Sequence, residues 1–114
     1  MIIQELYAVA NVADLDEGEA FYTRLFGRGP DDRPMDGLIQ WRQETFGVQL
    51  ARDEAKAGRS AITIVTPSMA EARNQLADRG LELEPDIQGD YGIIAQISDP
   101  AGNRITLAEP PRGI

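Results

Sequence analysis

Apolar and polar residues alternate near the start of the chain in a way that predicts a strand over residues 5–12. One face of this strand would carry Ala8, Ala10 and Val12, and the other Tyr7, Val9 and Asn11. Asp14, with Glu17 three residues later, predicts the N-terminus of a helix, and Gly27 its end. We expect that helix to bury an apolar stripe made of Ala20, Phe21, Leu25 and Phe26.

Three more strands complete the predicted first half. The turn-rich residues 28–37 allow one short edge strand near residues 33–35, and residues 38–42 and 46–51 form a hairpin. Successive side chains of a strand point to opposite faces of the sheet, and this alternation predicts that Gln40 and Arg42 share a face with Gln49. The opposite face, towards the helix, would carry Ile39, Trp41, Val48 and Leu50.

The second half repeats this order. Residues 60–65 predict a strand, Thr66 caps a helix with Pro67 in its first turn, and Gly80 ends that helix. Strands follow at residues 81–83, 91–97 and 104–107. The halves overlay with a displacement of 53 residues, which brings Val9, Val12, Asp14 and Gly27 onto Ile62, Val65, Pro67 and Gly80. The sequence therefore predicts an internal repeat.

Two motifs carry a family resemblance. In the turn Asp99-Pro100-Ala101-Gly102-Asn103, proline presets φ and the last two residues tolerate positive φ. The helix contains Phe21-Tyr22-Thr23-Arg24-Leu25-Phe26-Gly27. Both segments resemble signatures of the vicinal oxygen chelate superfamily, which includes glyoxalase I, extradiol dioxygenases and bleomycin resistance proteins.

The resemblance implies an α+β fold of two tandem βαβββ modules, the glyoxalase/bleomycin resistance fold, whose curled mixed sheets form a cup around a ligand. We expect a single domain over residues 1–114: module one at about 1–52, a linker at about 53–59, module two at about 60–109 and a tail at 110–114. In the bleomycin-resistance type the modules pair across chains. The resemblance therefore implies a homodimer with two equivalent pockets.

Composition narrows the function classes. The net charge of −8 leaves no basic face for nucleic acid, and it is compatible with a cationic small-molecule ligand, although solubility explains it as well. The sequence has neither Cys nor His, which excludes disulfides, thiolate or imidazole metal ligands and Ser-His relays. We see no long apolar run and no signal sequence, and we expect a cytoplasmic protein without membrane contact.

Metal-dependent members of the superfamily place four ligands on the first and last strands of the two modules. Carried over by spacing, these positions hold Tyr7, Gln49, Ser60 and Thr106. None of them is a carboxylate or an imidazole, and neutral oxygen ligands hold transition metals poorly. We therefore expect no metal and no cofactor.

A polar lining is predicted for the cup instead. Its candidate ligand-binding residues are Tyr7, Asn11, Gln40, Arg42, Gln49, Ser60, Arg104 and Thr106. The same residues could equally form the solvated face of a half-buried sheet, which needs no ligand. Trp41 and Tyr22 are predicted to pack in the core, and Tyr91 to be either a lid residue or edge cover.

Three functions remain open. The preferred one is a metal-independent small-molecule binding or sequestering protein, similar to bleomycin resistance proteins. The alternatives are a glyoxalase- or dioxygenase-type enzyme, or its degenerate remnant, and a regulatory member of the superfamily. Catalysis would be favoured if Glu5 and Glu109, the carboxylates near the carried-over positions, pointed into one buried cavity.

Overall fold

Each half of the chain folds as a strand, a helix and three further strands in a computed structural model that describes residues 1–90 and 92–111. The first half contains β1 (Leu6–Val12), α1 (Leu15–Phe26), β2 (Asp32–Met35), β3 (Leu38–Arg42) and β4 (Phe46–Arg52). The second contains β5 (Ala61–Val65), α2 (Met69–Asp78), β6 (Ile87–Gly89), β7 (Gly92–Ser98) and β8 (Arg104–Glu109). The predicted pair of βαβββ modules is confirmed.

The two modules form two four-stranded mixed sheets with equivalent strand orders. These orders are β1-β4-β3-β2 and β5-β8-β7-β6. In each sheet the first and last strands of the module run parallel, and the other neighbours are antiparallel. Consequently β1 and β5 are each an edge strand of their own sheet.

The first helix begins and ends where the sequence predicts. The carboxylate of Asp14 accepts a hydrogen bond from the Glu17 amide at 3.0 Å, and Gly27 ends the helix with a φ of 76°. The helix buries Phe21 and Leu25, as expected from its apolar stripe. The prediction for Ala20 is wrong, because this residue lies on the solvent side of α1.

Module two differs from the prediction at the start of its helix and in the segment that follows the helix, whereas Gly80 ends the helix as predicted. Ser68, not Thr66, caps α2, because Ser68 has the extended backbone of an N-cap and its hydroxyl accepts from the Glu71 amide at 3.1 Å. The predicted strand at residues 81–83 is wrong as well. Leu81 and Leu83 alternate with polar residues as in a strand, but they pack into the core from a segment without regular secondary structure. The third strand of module two is β6 instead.

The internal repeat is real, but its register differs by one residue from the predicted one. Val9 pairs with Gln49 in the first sheet, and Thr63 pairs with Thr106 in the second. The N-caps Asp14 and Ser68 lie five residues after Val9 and Thr63, respectively. The displacement is thus 54 residues at the first strand and the N-cap. Tyr7 accordingly corresponds to Ala61, and Ser60 precedes β5.

The apolar faces of both sheets and the two helices share one core. Trp41 is 3% exposed and Tyr22 is fully buried, which confirms both as core residues. The faces of β3 and β4 divide as predicted, with Ile39 and Leu50 buried beside the helix. Tyr91 lies outside the described residues. None of the helices in the described ranges is long and apolar enough to cross a membrane.

A buried hydrogen-bond network joins the two modules. The Tyr22 hydroxyl donates to Asp99 at 2.7 Å, and Asp99 also accepts from the amide and the side chain of Asn103 at 2.9 and 2.8 Å. Asn103 donates in turn to the Asn11 carbonyl at 2.7 Å and accepts from the Ser60 amide at 2.7 Å. One turn of module two therefore holds a helix and a strand end of module one.

We expect Tyr22→Phe to lower the free energy of unfolding by about 1.5–3 kcal/mol, since it removes a buried hydrogen bond to a carboxyl group. Burial, and then the hydrogen bond to Asp99, raises the pKa of Tyr22, so this phenol donates as the neutral species at ordinary pH. Tyr7→Phe is the matched control and should change stability by less than about 0.5 kcal/mol. Urea unfolding of both variants is the measurement, and equal effects would contradict the network's role.

Candidate functional site

Tyr7 lies flat on the uncovered face of the first sheet. Its partner across β1 and β4 is Gly47, and a Cβ built on that glycine would meet Tyr7 Cε1 at 2.7 Å. Arg42 is the next residue in the same row, paired with Gly47 across β3 and β4. Gly47 thus provides the space that the Tyr7 ring occupies beside the guanidinium of Arg42.

A chain of polar contacts continues across the same face. Gln49 donates to Gln40 at 3.0 Å, and Gln40 donates to Asp32 at 3.0 Å. Asp32 also pairs with the guanidinium of Arg42. The structure therefore brings together four of the predicted residues, namely Tyr7, Gln40, Arg42 and Gln49. Asp32 joins them without having been predicted as a site residue, because it comes from a turn-rich stretch with no clear alternation.

The second sheet carries a similar but separate network. Gln96 donates to the Thr106 hydroxyl at 3.0 Å, and Arg104 donates to Gln96 at 2.7 Å. Arg104 also binds Glu84 and Ser98 through hydrogen bonds of 2.7 and 2.8 Å. Gln96 was missed by sequence analysis, although its place opposite Thr106 follows from the register of the last hairpin.

The remaining predicted residues, Asn11 and Ser60, lie where the modules join. The Ser60 hydroxyl accepts from the Asn11 amide at 3.0 Å, and Asn103 binds both residues. Here the end of β1 meets the start of β5. The Asn11 amide and carbonyl and the Ser60 hydroxyl are engaged within the protein, and a role for either residue in ligand binding stays a prediction.

Away from this joint, β1 and β5 line a cavity of about 680 Å³. Its apolar lining comes from both modules and consists of Leu6, Ala8, Phe26, Trp41, Phe46, Val48, Ile62, Ile64 and Val65. Tyr7, Arg28, Arg42, Gln43 and Thr63 add polar groups. The volume is typical of a site for a small organic molecule. Sequence analysis could not find it, because the cavity depends on the placement of two sheets.

The internal repeat relates the joint to the mouth of this cavity. Three pairs of positions correspond when the modules are aligned in the observed registers: Asn11 with Val65, Ser60 with Leu6, and Asn103 with Phe46. The first three are hydrogen-bonded and close one end of the contact between modules. The other three line the cavity, and their side chains are largely exposed: Val65 by 67%, Leu6 by 70% and Phe46 by 60%. One end is thus polar and closed, and the equivalent end is apolar and open.

Two guanidinium groups at the cavity are neutralised by adjacent carboxylates. Arg28 pairs with Asp31 at 2.7 Å, and Arg42 pairs with Asp32. The hydrogen bond from Arg28, followed by that from the Arg42 amide, lowers the pKa of Asp31 to about 2. Hydrogen bonds from Gln40 and then Arg42 lower the pKa of Asp32. Both carboxylates therefore remain charged at neutral pH.

The carboxylates considered for catalysis do not line the cavity. Glu109 accepts from the Met69 amide at 2.7 Å and so satisfies the N-terminus of α2. Glu5 is exposed and lies 3.4 Å from the Tyr7 hydroxyl. Burial, and then the charge of Glu5, raises the pKa of Tyr7, so its phenol is neutral at pH 7. Across residues 1–90 and 92–111, no three acidic side chains are grouped as metal ligands would be.

Comparison with solved structures shows the fold. A glyoxalase/bleomycin resistance protein from Catenulispora acidiphila DSM 44928 superposes with a TM-score of 0.87 and 23% identity, covering 94% of this chain and 98% of that chain. A bleomycin-binding protein complexed with bleomycin has a TM-score of 0.73 and 18% identity, covering 97% and 100% of the two chains. The lactoylglutathione lyase from Agrobacterium tumefaciens has a TM-score of 0.75 and 19% identity, covering 91% of each chain.

The chain therefore has the glyoxalase/bleomycin resistance fold, and its structural neighbours are proteins of the vicinal oxygen chelate superfamily. The resemblance predicted from the turn and helix motifs is confirmed for the fold. No protein-family model matches the sequence, and no curated protein matches it either. The neighbours include both binding proteins and an enzyme, so the function must be argued from the site.

We expect Gly47→Ala to destabilise the protein by about 1–3 kcal/mol and to displace the Tyr7 ring, because the added methyl group would collide with the Trp41 carbonyl and with Tyr7. The matched control is Gly89→Ala, where nothing lies within 4 Å of the added Cβ. Urea unfolding gives the stability, and fluorescence of Trp41, the single tryptophan, reports the change beside the cavity. A Gly47→Ala variant as stable as the control would contradict the packing described.

Proposed function

We propose that the protein is a metal-independent small-molecule binding or sequestering protein, and that its ligand occupies the cavity between β1 and β5. The observation that carries this proposal is the cavity itself, with its apolar wall from both modules and with Tyr7 and Arg42 beside it. A largely apolar site with a few placed polar groups is the usual form of a ligand site. The bleomycin complex of a protein with this fold supports the same class of function.

Binding is favoured over catalysis by the position of the carboxylates. A general acid or base must reach the substrate, and neither Glu5 nor Glu109 lines the cavity. In the observed register the four metal positions hold Tyr7, Gln49, Ala61 and Thr106; three of them offer only neutral oxygen atoms and Ala61 offers none, which supports a function without metal. The alternative is a glyoxalase- or dioxygenase-type enzyme, or a remnant of one. A requirement for a metal ion in ligand binding would favour that alternative.

The predicted site residues take different parts in this proposal. Tyr7 and Arg42 contact the ligand, while Gln40 and Gln49 fix Arg42 through Asp32. Arg104 and Thr106 lie on the other sheet, and we assign them to the face that a second copy of the chain presents to the cavity. Asn11 and Ser60 hold the closed end. The net charge of −8 makes a cationic ligand the first class to test, and we propose that the protein acts in the cytoplasm.

Ligand binding should raise the melting temperature and change Trp41 fluorescence, since a ligand of the native state stabilises it by mass action. A thermal-shift screen would use cationic glycopeptides, aldehyde–thiol adducts and aromatic drugs, each with and without EDTA. We expect at least one class to bind regardless of EDTA. Ala8→Phe should abolish that binding by filling the cavity, and Ala20→Phe on the exposed side of α1 should not.

Binding that survives in Ala8→Phe would place the ligand elsewhere. Binding that requires a divalent metal would favour the enzymatic alternative. Failure of every compound class to change either signal would contradict the proposed function.

We expect a two-fold symmetric homodimer, because the cavity mouth and both uncovered sheet faces leave large apolar side chains exposed. An obligate interface should bury more than about 2,000 Å² in total. Light scattering across a dilution series measures the mass. Val9→Glu combined with Ile87→Glu should favour the monomer, and Ala20→Glu should not. A constant monomeric mass of the unmodified protein at every concentration would refute the dimer.

A further inference from the structure

We propose that the cavity recognises a hydrophobic organic ammonium ion, which its aromatic rings bind through cation–π contacts and its flanking carboxylates attract. This inference names the ligand class of the proposed site and therefore rests on the proposed binding function. Three observations carry it: the aromatic residues of the lining, the internal pairing of both guanidinium groups, and the carboxylates beside the mouth.

Phe26, Trp41 and Phe46 line this cavity from the helix side of the first sheet, and Tyr7 lines it from the uncovered face of the same sheet. The indole N–H of Trp41 donates to the Arg28 carbonyl at 2.9 Å, which fixes the ring and satisfies its polar atom. Phe46 is 60% exposed, so its ring is accessible from solvent. Aromatic rings in a binding site attract cations through the negative potential of their faces, and quaternary ammonium ligands are recognised in this way.

The charges around the cavity point in the same direction. Arg28 and Arg42 are the only cations in the described lining, and each forms an ion pair with an aspartate of the segment before or within β2. These pairs leave little positive potential for an anionic ligand.

Glu5 precedes the lining residue Leu6, and Glu44 follows the lining residue Gln43. Neither carboxylate forms an ion pair within the part of the chain that the structure describes. Both aspartates are matched to arginines, so Glu5 and Glu44 add negative charge next to the lining residues that no arginine of the lining neutralises. A positively charged ligand is therefore attracted before it reaches the aromatic rings.

Three probes of similar size separate charge from hydrophobicity. They are phenyltrimethylammonium, its neutral isostere tert-butylbenzene, and the anion benzenesulfonate. Titration calorimetry gives each dissociation constant, and Trp41 fluorescence reports occupancy of the cavity. We expect the cation to bind at least about tenfold more tightly than the neutral isostere, and the anion to bind most weakly.

Two sets of variants assign the effect to residues. Phe46→Leu keeps an apolar side chain but removes a ring, and it should weaken binding of the cation about threefold or more while leaving the neutral isostere unchanged. Glu5→Gln with Glu44→Gln should also weaken only the cation, increasingly so at low salt. The matched control, Glu54→Gln with Glu82→Gln, removes the same charge from exposed positions elsewhere.

Equal affinity for the cation and its neutral isostere would overturn the inference, and so would tighter binding of benzenesulfonate or an equal loss in the control pair. Each of these results would leave small-molecule binding in the cavity intact. If none of the three probes bound and the wider compound screen also failed, the inference and the proposed function would fall together.

Discussion

The side-chain amide of Asn103 is the contact on which the arrangement of the two modules depends. It is fully buried and uses both of its polar atoms, donating to a strand of module one and accepting from the residue before β5. Because an unpaired amide at this depth costs several times the net value of one hydrogen bond, the modules cannot separate here without loss of stability. Asp99 fixes the amide, and Tyr22 fixes Asp99. A single chain of contacts thus runs from α1 to the last hairpin.

A second contact between the modules joins the C-terminal ends of the two helices. The guanidinium of Arg79, which ends α2, donates to the Arg24 carbonyl at 2.5 Å and to the Leu25 carbonyl at 3.4 Å. These carbonyls belong to the last turn of α1, where the helix leaves acceptors unsatisfied and its dipole favours a cation. Together the two joints connect the modules at the last turn of α1 and at the end of β1.

The fold was largely predictable, because its signals are local. The cap at Asp14, the glycine at the end of α1 and the last turn each specify their own backbone. Alternation from Gln49 also placed the polar residues of the first sheet on one face. At the second helix two local signals compete: Thr66 and Ser68 both offer a capping hydroxyl, but only Ser68 has a glutamate three residues later, Glu71, whose amide donates to it.

The site was predictable only in part. Tyr7 and Arg42 do lie beside the cavity, but Phe26, Phe46 and Thr63 carry no local signal for such a role. Phe26 belongs to a helix stripe and Thr63 to an ordinary alternating strand, and each becomes a lining residue only because two sheets meet at one end and diverge at the other. Such a relation between distant segments is not encoded in any single stretch of the sequence.

The unequal ends of the module contact also bear on how a duplicated gene can acquire a new activity. Two identical copies would make the same contact twice, and the second contact would close the space that the first leaves. Here the turn position held by Asn103 in one copy is held by Phe46 in the other, and the strand positions around it differ in the same sense. At these three positions one end carries side chains that hydrogen-bond across the modules, and the other carries apolar side chains that line the cavity. The two modules keep equivalent strand orders, so the closed and open ends differ in the side chains that stand there and not in topology.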